Sequence, residues 1–234
     1  MENIIITYYN NMIIRPTGGL CNRLRVVMSY YKDAMKKKEK LIVIWYQDIN
    51  CNGNYTDYFC SLPNAEFIYE KYKGKIDYHG YSALYRVTDY QRLKLLPTMI
   101  EFVNEKRKLL ENNYMAIHVR RTDHIEVAKK RNRYTSDEDF FKFIDKYKKD
   151  VKYLYVAADN KETYEMFQKK YPTLILFPYH EEVKGSKRNT SLHDAVIDLY
   201  MCIFSKHFQF SGQSSFSDVI LQIRKNQDIN HLFD

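Results

Sequence analysis

The stretch YMAIHVRRTD, residues 114–123, passes within ten letters from an apolar run into a knot of charge. Its opening part, 114–119, reads as a strand with both faces covered, because it is short, nearly all apolar and preceded by Asn112 and Asn113. Three similar runs follow at 152–157, 173–177 and 207–211. Helical spacing of apolar residues occupies the intervals between and beyond them, at 136–148, 161–170, 191–205 and 215–226. Ser136 and Asp139 stand three apart, in the order of a capping box, at the start of the first of these helices. Four βα units in a row predict a parallel sheet with helices on both faces.

Working outward toward the N-terminus, a β-rich run at 12–15 is followed by Pro16 to Gly19. Apolar residues then recur at Leu24, Val27, Met28, Tyr31 and Met35 on one face of a helix. The run LIVIWY at 41–46 reads as a second buried strand, parallel to the first across the helix. From 50 to 90 the pattern breaks into loops, with one short strand expected near 66–69. Residues 98–111 resume helical spacing and end at Asn112 and Asn113. These signals predict a compact, short α/β chain with parallel sheets, divided near 112. The first half, 1–112, carries a glycine loop, and the second, 113–234, is the regular run of βα units.

The chain has 234 residues, enough to bury roughly 70 to 75% of its unfolded surface without staples. A composition of 45% hydrophobic and 28% charged residues, with 7 Gly and 5 Pro, excludes collagen-like and disordered classes. The net charge of +8 favours an anionic partner. The basic runs at 36–40, 71–75, 106–108, 129–133 and 146–152 fall mostly where solvated helix faces are expected, so nucleic acid is not the expected partner. Cys21, Cys51, Cys60 and Cys202 form no CxxC pair and have no ligand spacing with the seven His, so reduced thiols are expected and a zinc site is not. No basic leader and no run of membrane-spanning length occurs, which leads to the expectation of a cytoplasmic chain without an integral membrane segment. Oligomeric state is not legible in the sequence.

In open parallel sheets, ligands bind beyond the carboxyl ends of the strands. After 114–119 come Arg120, Arg121, Thr122, Asp123 and His124; after 152–157 come Asp159 and Asn160; after 207–211 come Gly212 to Phe216. Paired guanidiniums at a strand end suit a diphosphate, which they hold by two-point hydrogen bonds and stabilise as a leaving group. The same arginines could instead pair with Asp123 as scaffolding. GGLCNR at 18–23 places Gly18 and Gly19 between strand and helix, either to let a ligand approach the backbone or simply to make a tight turn. SGQSSF at 211–216 offers hydroxyls and N–H groups at a helix start, or a serine cap.

Taken together, GGLCNRLR, HVRRTD and DAVIDLYMCIFS leading into SGQSSFSDVI resemble the three motif regions of the α1,2-, α1,6- and protein O-fucosyltransferase superfamily. HVRRTD is closest to the α1,6 branch. The resemblance spans about residues 13 to 224 and implies a GT-B-type, inverting, metal-independent transferase of two Rossmann-like halves, 1–112 on the acceptor side and 113–234 holding the nucleotide sugar. Such an enzyme carries fucose from GDP-fucose, its donor substrate, to a sugar hydroxyl of a glycan acceptor, with no cofactor. By motif position Arg120 would contact the β-phosphate and assist departure of GDP, with Arg121 nearby. Asn22 would approach the diphosphate or the fucose, His118 and Asp198 would hold the guanine end, and Ser214, Ser215 and Phe216 would form the phosphate loop. The base on the acceptor hydroxyl is expected at Glu126, with His124 and Asp123 as rivals. A same-fold transferase of another nucleotide sugar, and a basic module binding nucleic acid or acidic glycans without catalysis, are the alternative readings.

Overall fold

The computed structural model describes residues 10–87, 90–122, 125–180, 183–184 and 190–226. The first half opens with β1 (Asn11–Pro16), α1 (Leu20–Lys37) and β2 (Lys40–Ile44), the strand, helix and strand that the spacing predicts. β1 and β2 run parallel, with Met12 opposite Leu41 and Ile14 opposite Val43. β3 (Ala65–Ile68) pairs with β2, and β4 (Tyr78–Gly80) pairs with β1, giving the order β3-β2-β1-β4. β3 lies one residue from its expected place. β4 has no expected counterpart, because three residues are too few to show a period.

α2 (Pro97–Leu109) starts on a proline, whose fixed φ suits a first helical position, and leads toward the second half. Behind it the chain turns through Glu111 and Asn112 at φ 51° and 52°, left-handed conformations that end the helix where the paired asparagines predict. Then follow β5 (Tyr114–Val119), α3 (Ile125–Lys130), α4 (Asp137–Tyr147), β6 (Tyr153–Ala158), α5 (Lys161–Lys170), α6 (Leu192–Phe204), β7 (His207–Phe210) and α7 (Ser215–Asn226). The sheet order is β6-β5-β7, with both pairings parallel. Ser136 and Asp139 form the expected capping box: the serine hydroxyl accepts from the Asp139 N–H, and the Asp139 carboxylate accepts from the Ser136 N–H.

The run at 173–177 departs from expectation. It is no strand: residues 172–174 form a turn, and among the described residues a single backbone hydrogen bond, from the Leu154 N–H to the Leu174 carbonyl at 2.7 Å, joins it to β6. Pro172 and Pro178 bracket the run, and neither can donate to a ladder. Its apolar residues serve packing instead, with Ile175 buried among residues of α4, α5 and β6.

Every residue of β5 is buried, so its side chains alternate between two apolar layers. Met115, Ile117 and Val119 face α4 and α5, meeting Phe140, Ile144 and Phe167. Tyr114 and Ala116 face α6 and α7, in a cluster that continues into Leu24 and Val27 of α1 and Leu41 of β2. One core therefore joins the two sheets, and α1 packs directly on α7. The four cysteines are free thiols, as expected. Among the described residues no helix is long and apolar enough to cross a membrane.

Candidate functional site

β5 lies between β6 and β7, and β1 between β2 and β4, so each central strand is a point where the connections diverge to the two sides. A crevice opens at the carboxyl end of such a strand. Here the two crevices face a shared cleft of about 770 Å³, open to solvent and lined by Gly19, Leu20 and Cys21 from the first half and by His118, Arg120, Asp159, Asp198, Ser215 and Phe216 from the second. The loop at 49–52, after β2, closes one side, and Thr190 and Ser191 another.

Three helices begin at this cleft. α1 has Gly19 as its N-cap with no side-chain cap bond and no acid in its first turn, so its N-terminus keeps the positive end of the helix dipole without a counter-charge from its own first turn. α7 begins at Ser215, and α6 begins behind Ser191, whose hydroxyl accepts from the Asp194 N–H. Converging N-termini make a positive field suited to a phosphate.

Arg120 is the first residue past β5, and its backbone is fixed before its side chain acts. Its N–H donates to Ser211 Oγ at 2.9 Å, and the Ser211 N–H donates to the His118 carbonyl at 2.9 Å. On the other side Asp159, at the end of β6, accepts from the Arg121 N–H at 2.9 Å, from the Thr122 N–H at 3.1 Å and from the Thr122 hydroxyl at 2.7 Å. His118 is buried, stacked on Phe216 with centroids 4.7 Å apart, and its Nδ1 lies 2.8 Å from Ser217 Oγ. Ser217 spends its own proton on the Ser211 carbonyl, so in that bond Nδ1–H is the donor.

The glycine loop is built on Arg23, which is 1% exposed. Its guanidinium donates to the Gly18 carbonyl at 2.8 Å, the Tyr46 carbonyl at 2.5 Å and Asp48 at 2.7 Å, and it lies over the Trp45 ring. Gly18 sits at φ +81°, and a Cβ there would come within 3.1 Å of Asn22 Nδ2, so turn and close approach both call for glycine. Asn22 is held by Arg25, which donates to its Oδ1 at 2.6 Å and also approaches Asp218 of α7 at 3.5 Å. Asn22 therefore stands beside the cleft wall, at the seam between the halves.

At the far end of the cleft, Asp198 Oδ1 accepts from the Tyr155 hydroxyl at 2.7 Å. Burial pushes the Asp198 carboxyl up to about 7; Asp194 on the same helix adds to this, while the Tyr155 bond and the Lys106 charge oppose it. Asp198 also lines a neighbouring cavity of about 1040 Å³, bounded by Tyr155, Tyr164, Phe177 and Lys106.

The structure gathers Gly19, His118, Arg120, Asp198, Ser215 and Phe216 on one cleft, with Gly18 and Asn22 immediately behind its wall. Ser214 is buried 1% exposed just before α7, and its hydroxyl has no partner among the described residues. Arg121 is turned away: it pairs with Asp137 at 2.6 Å and lies over the rings of Tyr134 and Phe140, a scaffolding role with a different partner from the Asp123 considered in the sequence. Glu126 is on α3, its side chain 78% exposed and 3.6 Å from Lys129, outside the cleft proper. Asp123 and His124 lie outside the described residues. Asp159 was visible in sequence as the polar residue after a strand, but nothing there marked it as the anchor of the arginine loop. The 49–52 loop fell in a stretch without periodicity. Among the described residues, no three His, Cys, Asp or Glu side chains cluster as a metal site would need.

Two parallel α/β sheets facing across a cleft define a GT-B-like fold. Solved structures share it: the NodZ α-1,6-fucosyltransferase soaked with GDP-fucose superposes with a TM-score of 0.63 at 11% identity, over 91% of this chain and 92% of that one. The fucosyltransferase NodZ from Bradyrhizobium gives a TM-score of 0.59 at 11% identity, over 90% and 91%. POFUT1 in complex with GDP gives 0.60 at 10% identity, over 93% and 96%. No sequence-family profile matches the chain, and no curated protein matches it.

Proposed function

We propose that this protein is a glycosyltransferase that binds GDP-fucose in the shared cleft and transfers fucose, with inversion and without a metal, to a hydroxyl of a glycan acceptor. The observation that carries the reading is the placement of Arg120 at the end of the central strand, in a cleft where α1 and α7 also begin. That the structures sharing this fold include one soaked with GDP-fucose and one in complex with GDP supports the choice of donor.

In the proposed displacement, an acceptor oxygen attacks the anomeric carbon while the bond to the β-phosphate oxygen breaks. Negative charge grows on the departing diphosphate. The Arg120 guanidinium and the N-terminal end of α1 meet that charge in place, which is where preorganised donors lower a barrier. Asp198 and His118 hold the guanosine end, with the base's N1–H and N2–H donating to the Asp198 carboxylate. Ser215 and Phe216 border the phosphates, and Ser214 shapes the turn before them. Arg121 supports the loop from outside.

The acceptor proton goes to a base. Glu126 keeps that role in the proposal because α3 begins against Arg120, with Ile125 and Arg120 lining the same small hollow, so an acceptor arriving there meets an exposed carboxylate. Incubation with labelled GDP-fucose and a glycan array, with and without EDTA, tests the reading. Label transfer that survives EDTA is expected. Transfer abolished by EDTA and restored by manganese or magnesium would overturn the arginine-based mechanism, and transfer from another nucleotide sugar alone would overturn the donor.

A further inference from the structure

Tyr155 belongs to β6, yet its hydroxyl reaches the helix α6 to meet Asp198, which lines both the shared cleft and the neighbouring cavity, while Tyr155 lines the cavity. The tyrosine is 8% exposed, its ring part of the core shared by the two halves. A buried phenol hydroxyl needs a partner, and this one takes a single lone pair of Oδ1. Oδ2 has no hydrogen-bond partner among the described residues, and Asp198 borders open space on both sides. The carboxylate is thus pinned by one oxygen and presented by the other.

We propose that Tyr155 is the positioning residue for purine selectivity: it fixes Asp198 so that the carboxylate accepts from a base offering two adjacent N–H donors and repels one offering a ring lone pair. This rests on the reading of Asp198 as the group that meets guanine. Guanine offers N1–H and N2–H side by side. Adenine offers the N1 lone pair there, which an oriented anion disfavours. A carboxylate free to rotate, or held neutral, loses that distinction. The groups interacting with Asp198 are Tyr155 from β6, Lys106 from α2, Tyr164 from α5, and Asp194 and Cys202 from α6, while His118, Arg120, Tyr179 and His180 share the two spaces it borders. Among them Tyr155 is the one that donates a hydrogen bond to it.

The test is titration of the full chain and of Tyr155→Phe with GDP, inosine diphosphate and ADP, and of GDP across neutral pH. Phenylalanine fills the same space, so folding is retained. The parent should prefer GDP over ADP, with inosine diphosphate between them. Tyr155→Phe should weaken GDP by about tenfold, the loss of one hydrogen bond to a charged group. ADP should scarcely change, and the pH at which GDP binding reaches half its strength should move upward. An unchanged GDP to ADP ratio in Tyr155→Phe, whatever its melting temperature, overturns the inference. In an Asp198→Asn background the Tyr155 substitution should add nothing, and a further full loss there also overturns it. If the parent itself binds GDP and ADP equally, the Asp198 reading falls first and this inference with it.

Discussion

A guanidinium's usefulness depends on where it is held, and the arginines of this protein divide on that point. Arg23 has three acceptors and an aromatic ring around it, and Arg121 has a carboxylate and two rings, so both are committed to the fold. Arg120 differs in place: its backbone is fastened to Ser211, and it lines the cleft, which Arg23 and Arg121 do not. Arg120→Lys should therefore fold with a melting temperature near the parent's while losing turnover by about 2 to 4 kcal/mol of barrier, as for loss of an oxyanion donor. Arg121→Ala should do the reverse, lowering the melting temperature and leaving turnover of the folded fraction within a few-fold. Initial rates and melting curves on the same preparations separate the two, and an active, folded Arg120→Lys would remove the leaving-group assignment. Glu126→Gln should lower turnover by about 10² to 10⁴ with GDP affinity unchanged if it is the base. Near-normal turnover would move that role to Asp123 or His124. The sequence singles out Arg120 over Arg121 by its motif position and its place as the first polar residue past the strand, but not the partners that hold each of them. Their partners, Ser211 and Asp137, are 91 and 16 residues distant, and only folding brings them together.

At the scale of elements, strong periods were legible and short pieces were not. α4, α5, α6 and α7 fall within a residue or two of their expected spans, and α1 encloses the expected 24–35 face, because each must cover a core face for several turns and the apolar spacing records it. The 173–177 run carried the same apolar signal as a strand, but composition cannot distinguish a ladder from a packed turn, and the flanking prolines decided it. β4 and α3, with three and six residues, left no period to read. The turn before α7 shows what sequence does record of a loop. Gly212 donates its N–H to Thr135 Oγ1 at 3.0 Å, and a Cβ on it would come within 1.9 Å of the Arg133 carbonyl oxygen. Backbone cannot yield as a side-chain tip can, so Gly212→Ala must push the 211–216 turn and the 133–135 segment apart. A cost of roughly 1 to 3 kcal/mol is expected, as for overpacking. Because Ser211 in that turn anchors Arg120, GDP affinity should fall with the melting temperature. A Gly212→Ala protein with parental stability and GDP affinity would show that the turn does not set the site.

The whole molecule adds what neither residues nor elements contain: a continuous core layer running from β2 through α1 to α6, α7 and β5, which fixes the two sheets against each other and so sets the cleft between them. The sequence announced two halves by their alternation, but their joining depends on contacts more than a hundred residues apart, which no local pattern carries. Asp198 is the point where this burial becomes measurable. Its carboxyl is raised from 3.8 to about 7, so between those values the folded protein holds a proton that the unfolded chain has lost. The sign follows from linkage: where the native state binds more protons, stability falls as pH rises, so this group's contribution to the ligand-free protein declines from about pH 4 to about pH 7 and is level beyond. Guanine binding has the opposite demand, because two N–H donors require the ionised carboxylate. Bound GDP should therefore lower the carboxyl's proton affinity, and the rise in melting temperature that GDP produces should grow as pH increases through neutrality. ADP and UDP should give smaller rises. In Asp198→Asn the ligand-free protein should lose its decline across the acidic window, and GDP should lose its dependence on pH together with its advantage over ADP. Thermal melts of both proteins with the three nucleotides, across that pH range, measure all of this at once. A GDP shift that stays constant through neutrality in the parent would place the base elsewhere than against Asp198.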